Sequence, residues 1–154
     1  MKKYLLTMFI SLIVGFFLSN LLLNQYGEYK GLTVYNEGEM FYFIEYGEFS
    51  SYEEMEKNTI NLENYVYQEE SSKYYVYIGI TKKEEVANKM ENYFKSLNYN
   101  PNLRQFYITN KDFILAIDNY DQILKSTDDN TVISEIINQG LTTYEEVVIG
   151  ESKN

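Results

Sequence analysis

The chain has 154 residues, carries 23 acidic but only 13 basic side chains, and contains neither cysteine nor histidine. Its length suits one domain of ordinary size, and its net charge of −10 disfavours binding to nucleic acid or to anionic lipid headgroups. Without Cys and His, the usual zinc sites, thiol nucleophiles and histidine bases cannot be built, and neither can a disulfide or a lipid-modified cysteine.

The first predicted element is a membrane segment at residues 4–23, where YLLTMFISLIVGFFLSNLLL contains no charged residue. A helix of this length covers roughly the 30 Å of a bilayer's hydrocarbon core. No small-residue cleavage site follows, so we predict an uncleaved signal anchor, with a cleaved signal peptide as the alternative. Lys2 and Lys3 predict a cytoplasmic end at residues 1–3 and an extracytoplasmic location for the rest of this single-pass protein of the cell membrane. Residues 24–39, with three glycines, predict a short tether.

A strand–turn–helix–strand pattern follows the tether. Residues 40–46 are mostly aromatic or β-branched and predict a strand that ends at Gly47. Ser50 and Ser51 are candidate N-caps for a helix, and residues 64–68 predict a short second strand. The apolar stripe of that helix consists of Met55, Thr59 and Leu62, with Ile60 beside them.

The same pattern then recurs. Residues 73–80 predict a third strand, Thr81 a helix cap and residues 103–109 a fourth strand. The helix between them has its apolar side chains at three- and four-residue steps: Val86, Met90, Tyr93, Phe94 and Leu97. This order predicts an α+β, ferredoxin-like βαββαβ domain at residues 40–110, with a four-stranded antiparallel sheet and two helices on one face.

Residues 111–154 predict a helical C-terminal extension. One apolar stripe ends before Asp128, Asp129 and Asn130, which could cap a further helix, and Gly140 is typical of a helix end. Residues 142–148 could form a last short helix or a strand. The stripes are Phe113, Ile114, Ile117, Tyr120 and Leu124, then Val132, Ile133, Ile136 and Ile137. They could cover the open face of the sheet, extend its edge or bind a partner.

Two stretches carry a resemblance to a known family: FIEYGEFSS at residues 43–51 and YYVYIGITKKEEV at residues 74–86. They resemble the two halves of the SPOR domain, the sporulation-related repeat of bacterial envelope proteins. The resemblance covers residues 40–109 and implies non-catalytic binding of peptidoglycan glycan strands that lack stem peptides, in division or sporulation. Glu45 stands where the family usually has glutamine, and a carboxylate accepts hydrogen bonds but does not donate them.

The resemblance also implies that the ligand binds the face of the sheet opposite the two helices. Strand alternation predicts that this outer face presents seven candidate glycan-binding side chains: Phe41, Phe43, Glu45, Tyr65, Tyr67, Tyr75 and Tyr77. The alternative is that the C-terminal helices bury the face. The domain would then be an extracytoplasmic protein-interaction or assembly module, or a structural subunit that assembles into a ring.

Catalysis and cofactors are not predicted. No nucleotide-binding or serine-hydrolase motif occurs, and the paired glutamates are more typical of helix starts and turns than of a two-carboxylate hydrolase. The acidic residues Asp118, Asp121, Asp128 and Asp129 do not have the spacing of an EF-hand, so solvated surface is favoured over a calcium site. The expected partners are peptidoglycan glycan strands or another envelope protein.

Overall fold

The computed structural model describes residues 38–150. They form two strand–helix–strand units, followed by two α-helices and a π-helix. The first half contains β1 (Glu39–Phe49), α1 (Tyr52–Thr59) and β2 (Val66–Glu70). The second half contains β3 (Lys73–Thr81), α2 (Glu84–Ser96) and β4 (Asn102–Ile108). The C-terminal region contains α3 (Lys111–Ser126), α4 (Asn130–Thr143) and a π-helix (Tyr144–Ile149). The predicted membrane segment lies outside the described residues, and within them no helix is long and apolar enough to cross a bilayer.

The four strands form one antiparallel sheet in the order β2-β3-β1-β4. This confirms the predicted α+β class and four-stranded sheet, and the order is compatible with a ferredoxin-like fold. The first strand is longer than predicted. It continues through Gly47, which pairs with Val76, and bulges leave Tyr46 and Ile78 without direct partners. A bulge lets a strand bend while its pairing resumes beyond it, which explains why a glycine did not end β1.

One face of the sheet packs against α1 and α2. Ile44 of β1 lies opposite Gly79 of β3, beneath Met90 and Phe94 of α2. A Cβ on Gly79 would lie 3.1 Å from Cγ1 of Ile44 and 3.2 Å from Sδ of Met90. A glycine at this position therefore lets α2 approach the sheet closely.

The other face of the sheet is covered by the C-terminal region. The ring of Phe113 in α3 lies 5.3 Å from that of Phe41, and the ring of Tyr144 in the π-helix lies 5.3 Å from that of Phe43. Phe113 and Tyr144 also contact each other, with ring centroids 5.3 Å apart in an edge-to-face arrangement. The predicted helical extension thus belongs to the same hydrophobic core as the sheet.

Two of the predicted helix caps are present. Ser51 accepts a hydrogen bond from the backbone N–H of Glu54, and Asp129 accepts one from the N–H of Thr131. Such bonds satisfy N–H groups that have no partner within the helix. The loop sequences around residues 51 and 129 therefore determine where α1 and α4 begin.

Two other terminus predictions are wrong. Thr81 is the last residue of β3, and Lys83 occupies the N-cap of α2 without a side-chain cap. Gly140 does not end α4, because its helix continues to Thr143 and then changes to π geometry. Gly140 is buried beside Ile117 and Tyr120. A Cβ there would lie 3.6 Å from Cδ1 of Ile117 and 3.9 Å from Cδ2 of Tyr120, which are ordinary contact distances, so the packing of α3 on α4 does not require a glycine.

Candidate functional site

Four of the seven predicted site residues are buried: Glu45 is 9% exposed, and three of the aromatic side chains are inaccessible. Phe41, Phe43 and Tyr77 have exposed fractions of 0%, 2% and 2%. Burial raises the pKa of Tyr77 to about 12. The predicted exposure of these rings is wrong because α3 and the π-helix cover that part of the sheet, and a ligand cannot stack on them in this conformation.

Tyr65 and Tyr67 do not share a face with the other candidates. Directly opposed residues of an antiparallel pair lie on the same face, and β2 pairs Tyr67 with Val76. The Tyr67 ring contacts that of Tyr52, at the start of α1, with centroids 6.0 Å apart. Tyr65 precedes β2 and is half-buried. The prediction that these two side chains lie beside Tyr77 is therefore wrong, because β2 has the opposite alternation.

The uncovered end of the sheet face is occupied by an arginine cluster. The guanidinium of Arg104 lies 4.4 Å above the Tyr75 ring and 5.3 Å from the Phe106 ring. It donates hydrogen bonds to Tyr77 Oη (3.2 Å) and to Glu70 Oε2 (3.3 Å). Its Nη1 lies 3.6 Å from Oε2 of the buried Glu45.

This cluster joins three predicted residues, Glu45, Tyr75 and Tyr77, to one that sequence reasoning missed. Arg104 is the only arginine in the chain. This composition was a signal that could have marked it as a candidate site residue. Its charge is balanced by the two carboxylates, and its flat face is stacked on aromatic rings. The cluster therefore satisfies its own polar groups and offers little free aromatic surface to a ligand.

A groove with different chemistry runs along α4. It consists of two adjoining cavities of about 570 and 200 Å³, which share Glu63, Ser134 and Asn138 as lining residues. The larger cavity is lined by hydroxyl and amide groups beside a tyrosine: Tyr120, Gln139, Thr142 and Thr143. The smaller is richer in rings: Tyr93, Phe94 and Tyr99, with Asn61 and Asn64 beside them. We call these two cavities the α4 groove.

The amphipathic pattern of α4 builds this groove. Its apolar residues face the core: Ile133, Ile136, Ile137 and Leu141. Its polar residues recur at three- and four-residue steps on the opposite side, which places them along one line of the helix surface. The polar line includes Thr131, Ser134, Asn138 and Thr142. The polar line was not predicted, although its three- and four-residue spacing is visible in the sequence.

Hydrogen bonds fix the two walls of the groove. Asn64 in the α1–β2 loop donates to the backbone oxygen of Asn138 (3.3 Å) and to Oγ1 of Thr142 (3.2 Å). On the other side, the hydroxyls of Tyr120 and Thr143 lie 3.3 Å apart. These contacts tie the loop and α3 to α4, so the groove is held in shape by side chains from three elements.

The chemistry of the α4 groove disfavours an anionic ligand and provides hydrogen-bonding partners for an uncharged polar one. Its ionisable lining residues other than tyrosine are Glu63 and Glu135, and no lysine or arginine lines either cavity. Amide side chains both donate and accept hydrogen bonds, and hydroxyls do the same. With tyrosine rings in both cavities, the lining offers polar partners for the hydroxyls of a saccharide and flat surfaces for its sugar rings.

The prediction that the four aspartates lie on solvated surface is wrong for Asp121, which is only 3% exposed. Its carboxylate accepts hydrogen bonds from Oγ1 of Thr81 (2.5 Å) and from the backbone N–H of Lys82 (3.0 Å). Burial raises the pKa of Asp121, while these two hydrogen bonds act in the opposite direction. The residue therefore fastens the end of β3 to α3.

The neighbouring acidic residues are paired with lysines. The ammonium of Lys82 lies 2.7 Å from Oδ1 of Asp118 and 2.5 Å from Oε2 of Glu39. Lys89 pairs with Asp128 at 2.9 Å. Within residues 38–150, no group of three or more acidic side chains is arranged to hold a metal ion.

The chain matches no protein-family model, no curated protein and no solved structure.

Proposed function

We propose that the chain is a non-enzymatic, membrane-anchored cell-envelope protein whose SPOR-like domain binds peptidoglycan glycan strands in division or sporulation. The glycan would lie in the α4 groove and not on the face of the sheet. The anchor at residues 4–23 would hold the domain outside the membrane, close to the cell wall.

The observation that carries this proposal is the continuity of the two cavities. A single sugar fills only a small pocket, whereas a strand of alternating amino sugars needs an extended groove. The two cavities, of about 570 and 200 Å³, share Glu63, Ser134 and Asn138 and so offer adjoining sites for successive sugars. The amides of Asn138 and Gln139 would bond sugar hydroxyl and acetamide groups, and Tyr93 and Tyr120 would offer ring surfaces.

The test is a pull-down of the full-length chain, in mild detergent, with purified cell-wall sacculi before and after amidase removes the stem peptides. Soluble oligomers of N-acetylglucosamine serve as competitors. The proposal predicts retention that increases after amidase treatment and falls as competitor is added. Replacing both Asn138 and Gln139 by alanine removes two hydrogen-bonding side chains at about 1 kcal/mol each, which corresponds to roughly 30-fold weaker binding.

Two control variants separate the groove from other surfaces. Gln122→Ala removes an exposed amide from α3 outside the groove and is expected to bind normally. Tyr75→Ala alters the arginine cluster on the sheet and is also expected to bind normally. Binding that depends on Tyr75 but not on Asn138 and Gln139 would place the glycan on the sheet, and no retention on either form of sacculi would overturn the proposal.

A second candidate function is an extracytoplasmic protein-interaction or assembly module. It is favoured by the covered sheet face, which removes the aromatic platform of Phe41, Phe43 and Tyr77 from solvent. An envelope protein without a glycan ligand would be expected to use its exposed apolar side chains, which include Leu103 and Tyr107 on β4. If the sacculi retain nothing, this candidate replaces the first.

A further inference from the structure

The β4 edge of the sheet lacks the features that usually prevent strand pairing. β4 pairs with β1 on one side and has no strand on its other side among residues 38–150. Exposed edges are commonly protected by lysines, prolines, bulges or inward-pointing charges. β4 reads NLRQFYI, has no lysine, proline or acidic residue, and carries Arg104 as its single charge. Its free backbone groups are therefore available to another strand.

An apolar patch accompanies this edge. Leu103 and Tyr107 of β4 are 38% and 58% exposed, and Met40, which lies directly opposite Tyr107, is 42% exposed. Leu103 and Tyr107 are four residues apart, so they lie on the same face of the strand. Two large side chains at an unpaired edge, with a third beside them on the neighbouring strand, indicate a contact surface.

We propose that β4 pairs antiparallel with β4 of a second copy of this chain, centred on Gln105, to form a continuous eight-stranded sheet. In this register β4 complements itself. Leu103 of one copy would lie opposite Tyr107 of the other, and Arg104 opposite Phe106. Each pair then occurs twice about a two-fold axis, as an isologous interface requires. Aliphatic–aromatic and cation–aromatic cross-strand pairs are both favourable.

Charge determines which edge of the sheet can pair in this way. The chain has a net charge of −10, so two copies repel each other on average. The opposite edge, β2, carries Glu69 and Glu70 in five residues, and self-pairing there would bring carboxylates together. The charge on β4 is positive and is already balanced by Glu45 and Glu70. A second copy therefore meets less repulsion at β4 than at β2.

Cysteine crosslinking tests the register, because the chain has no cysteine of its own. Leu103→Cys and Tyr107→Cys variants of the full-length chain are purified in mild detergent and oxidised separately and as a mixture. In the proposed register these two positions have Cβ atoms about 5 Å apart across the interface. Two copies of the same position are offset by four residues, roughly 13 Å, which is too far for a disulfide. The expected result is a crosslinked dimer in the mixture and monomer in each separate sample.

A matched control uses the other edge of the sheet. Gln68→Cys places a thiol on an exposed position of β2 and is expected to remain monomeric. Equal crosslinking of Gln68→Cys, self-crosslinking of Leu103→Cys, or no crosslinking of the mixture would each overturn the proposal. If β4 binds a different protein and not a second copy, the mixture is expected to give no crosslinked dimer, and the proposal is overturned.

A second measurement needs no introduced thiol. Sedimentation of the detergent-solubilised chain is expected to show a dimer. Tyr107→Lys, which places a like charge at both ends of the interface, is expected to raise the dissociation constant at least tenfold while the circular dichroism spectrum stays unchanged. A chain that sediments as a monomer at all concentrations would also overturn the proposal. Neither experiment depends on glycan binding, so failure of the dimer proposal is distinguishable from failure of the proposed function.

Discussion

Replacing Phe113 by alanine tests whether the C-terminal helices are part of the core that stabilises the sheet. Phe113 is fully buried, and its ring contacts Phe41 of β1 and Tyr144 of the π-helix. Removing the ring leaves a cavity between the sheet and its cover. A buried Phe→Ala substitution usually costs 3–5 kcal/mol, which is a large part of the 5–15 kcal/mol that stabilises a typical domain.

The assay is urea unfolding of residues 24–154, which lack the predicted membrane segment, followed by circular dichroism and by tyrosine fluorescence. A loss of about 4 kcal/mol with a slope of 1–3 kcal/mol per molar urea lowers the midpoint by roughly 1.5–4 M. Both probes should report one shared transition, because the helices and the sheet would unfold together. Leu115→Ala, at a position on the same helix that is 64% exposed, is the control and should change the free energy of unfolding by less than about 0.5 kcal/mol.

Two outcomes would refute this reasoning. If the helical signal is lost at low urea while the tyrosine signal keeps its original midpoint, the extension is a separate unit lying on the sheet. If Phe113→Ala and Leu115→Ala have equal effects, the ring does not contribute the contacts described above. In either case the outer sheet face would become accessible at low energetic cost, and glycan binding on that face would regain support.

The remaining predictions concern the contact between Thr81 and Asp121. Thr81→Val removes the hydroxyl that bonds Asp121 and Lys83 and should destabilise the protein by about 1–3 kcal/mol, whereas the exposed Thr109→Val should be nearly neutral in the same unfolding assay. Because burial raises the folded-state pKa of Asp121, the stability contributed by its protonated form is present below about pH 4 and is lost as the pH rises through the folded-state pKa. The free energy of unfolding of the wild type, relative to that of Asp121→Asn, should therefore fall as the pH rises from about 4. A rise instead would show that the hydrogen bonds to Thr81 and Lys82 outweigh burial.

The strand and helix order could be predicted from the sequence because each element carries a strong periodic pattern. The apolar side chains of α2 at positions 86, 90 and 94 are buried as expected, and Ser51 caps α1 as its position suggested. The strand limits were harder to predict. Gly47 looked like a strand end, yet it pairs with Val76 because the bulges in β1 and β3 accommodate it.

The accessible surface could not be predicted, because it depends on where the extension packs. Strand alternation correctly separated Phe41 and Phe43 from Ile44, but alternation does not say what covers each face. The stripe on α3 was compatible with covering the sheet, extending its edge or binding a partner. Long-range contacts such as the one between Phe113 and Phe41 decide among these outcomes, and local sequence patterns do not encode them.

Because helices pack on both faces of the sheet, the two proposed binding surfaces lie elsewhere. They are chemically distinct and belong to different elements. The α4 groove is polar, has tyrosines in its lining and lacks basic residues, whereas the β4 edge is apolar and carries one positive charge. Substitutions at Asn138 and at Tyr107 can therefore test the two proposals separately.

The two proposed surfaces would also reinforce each other. A glycan strand repeats the same disaccharide many times, and a two-fold dimer formed through β4 would present two α4 grooves. Once one groove holds the strand, the second encounters it at a high effective concentration, so a weak individual site can give strong retention on an insoluble wall. This would explain how a groove that relies on neutral hydrogen bonds, each contributing about 1 kcal/mol, could hold a membrane-anchored protein against the cell wall.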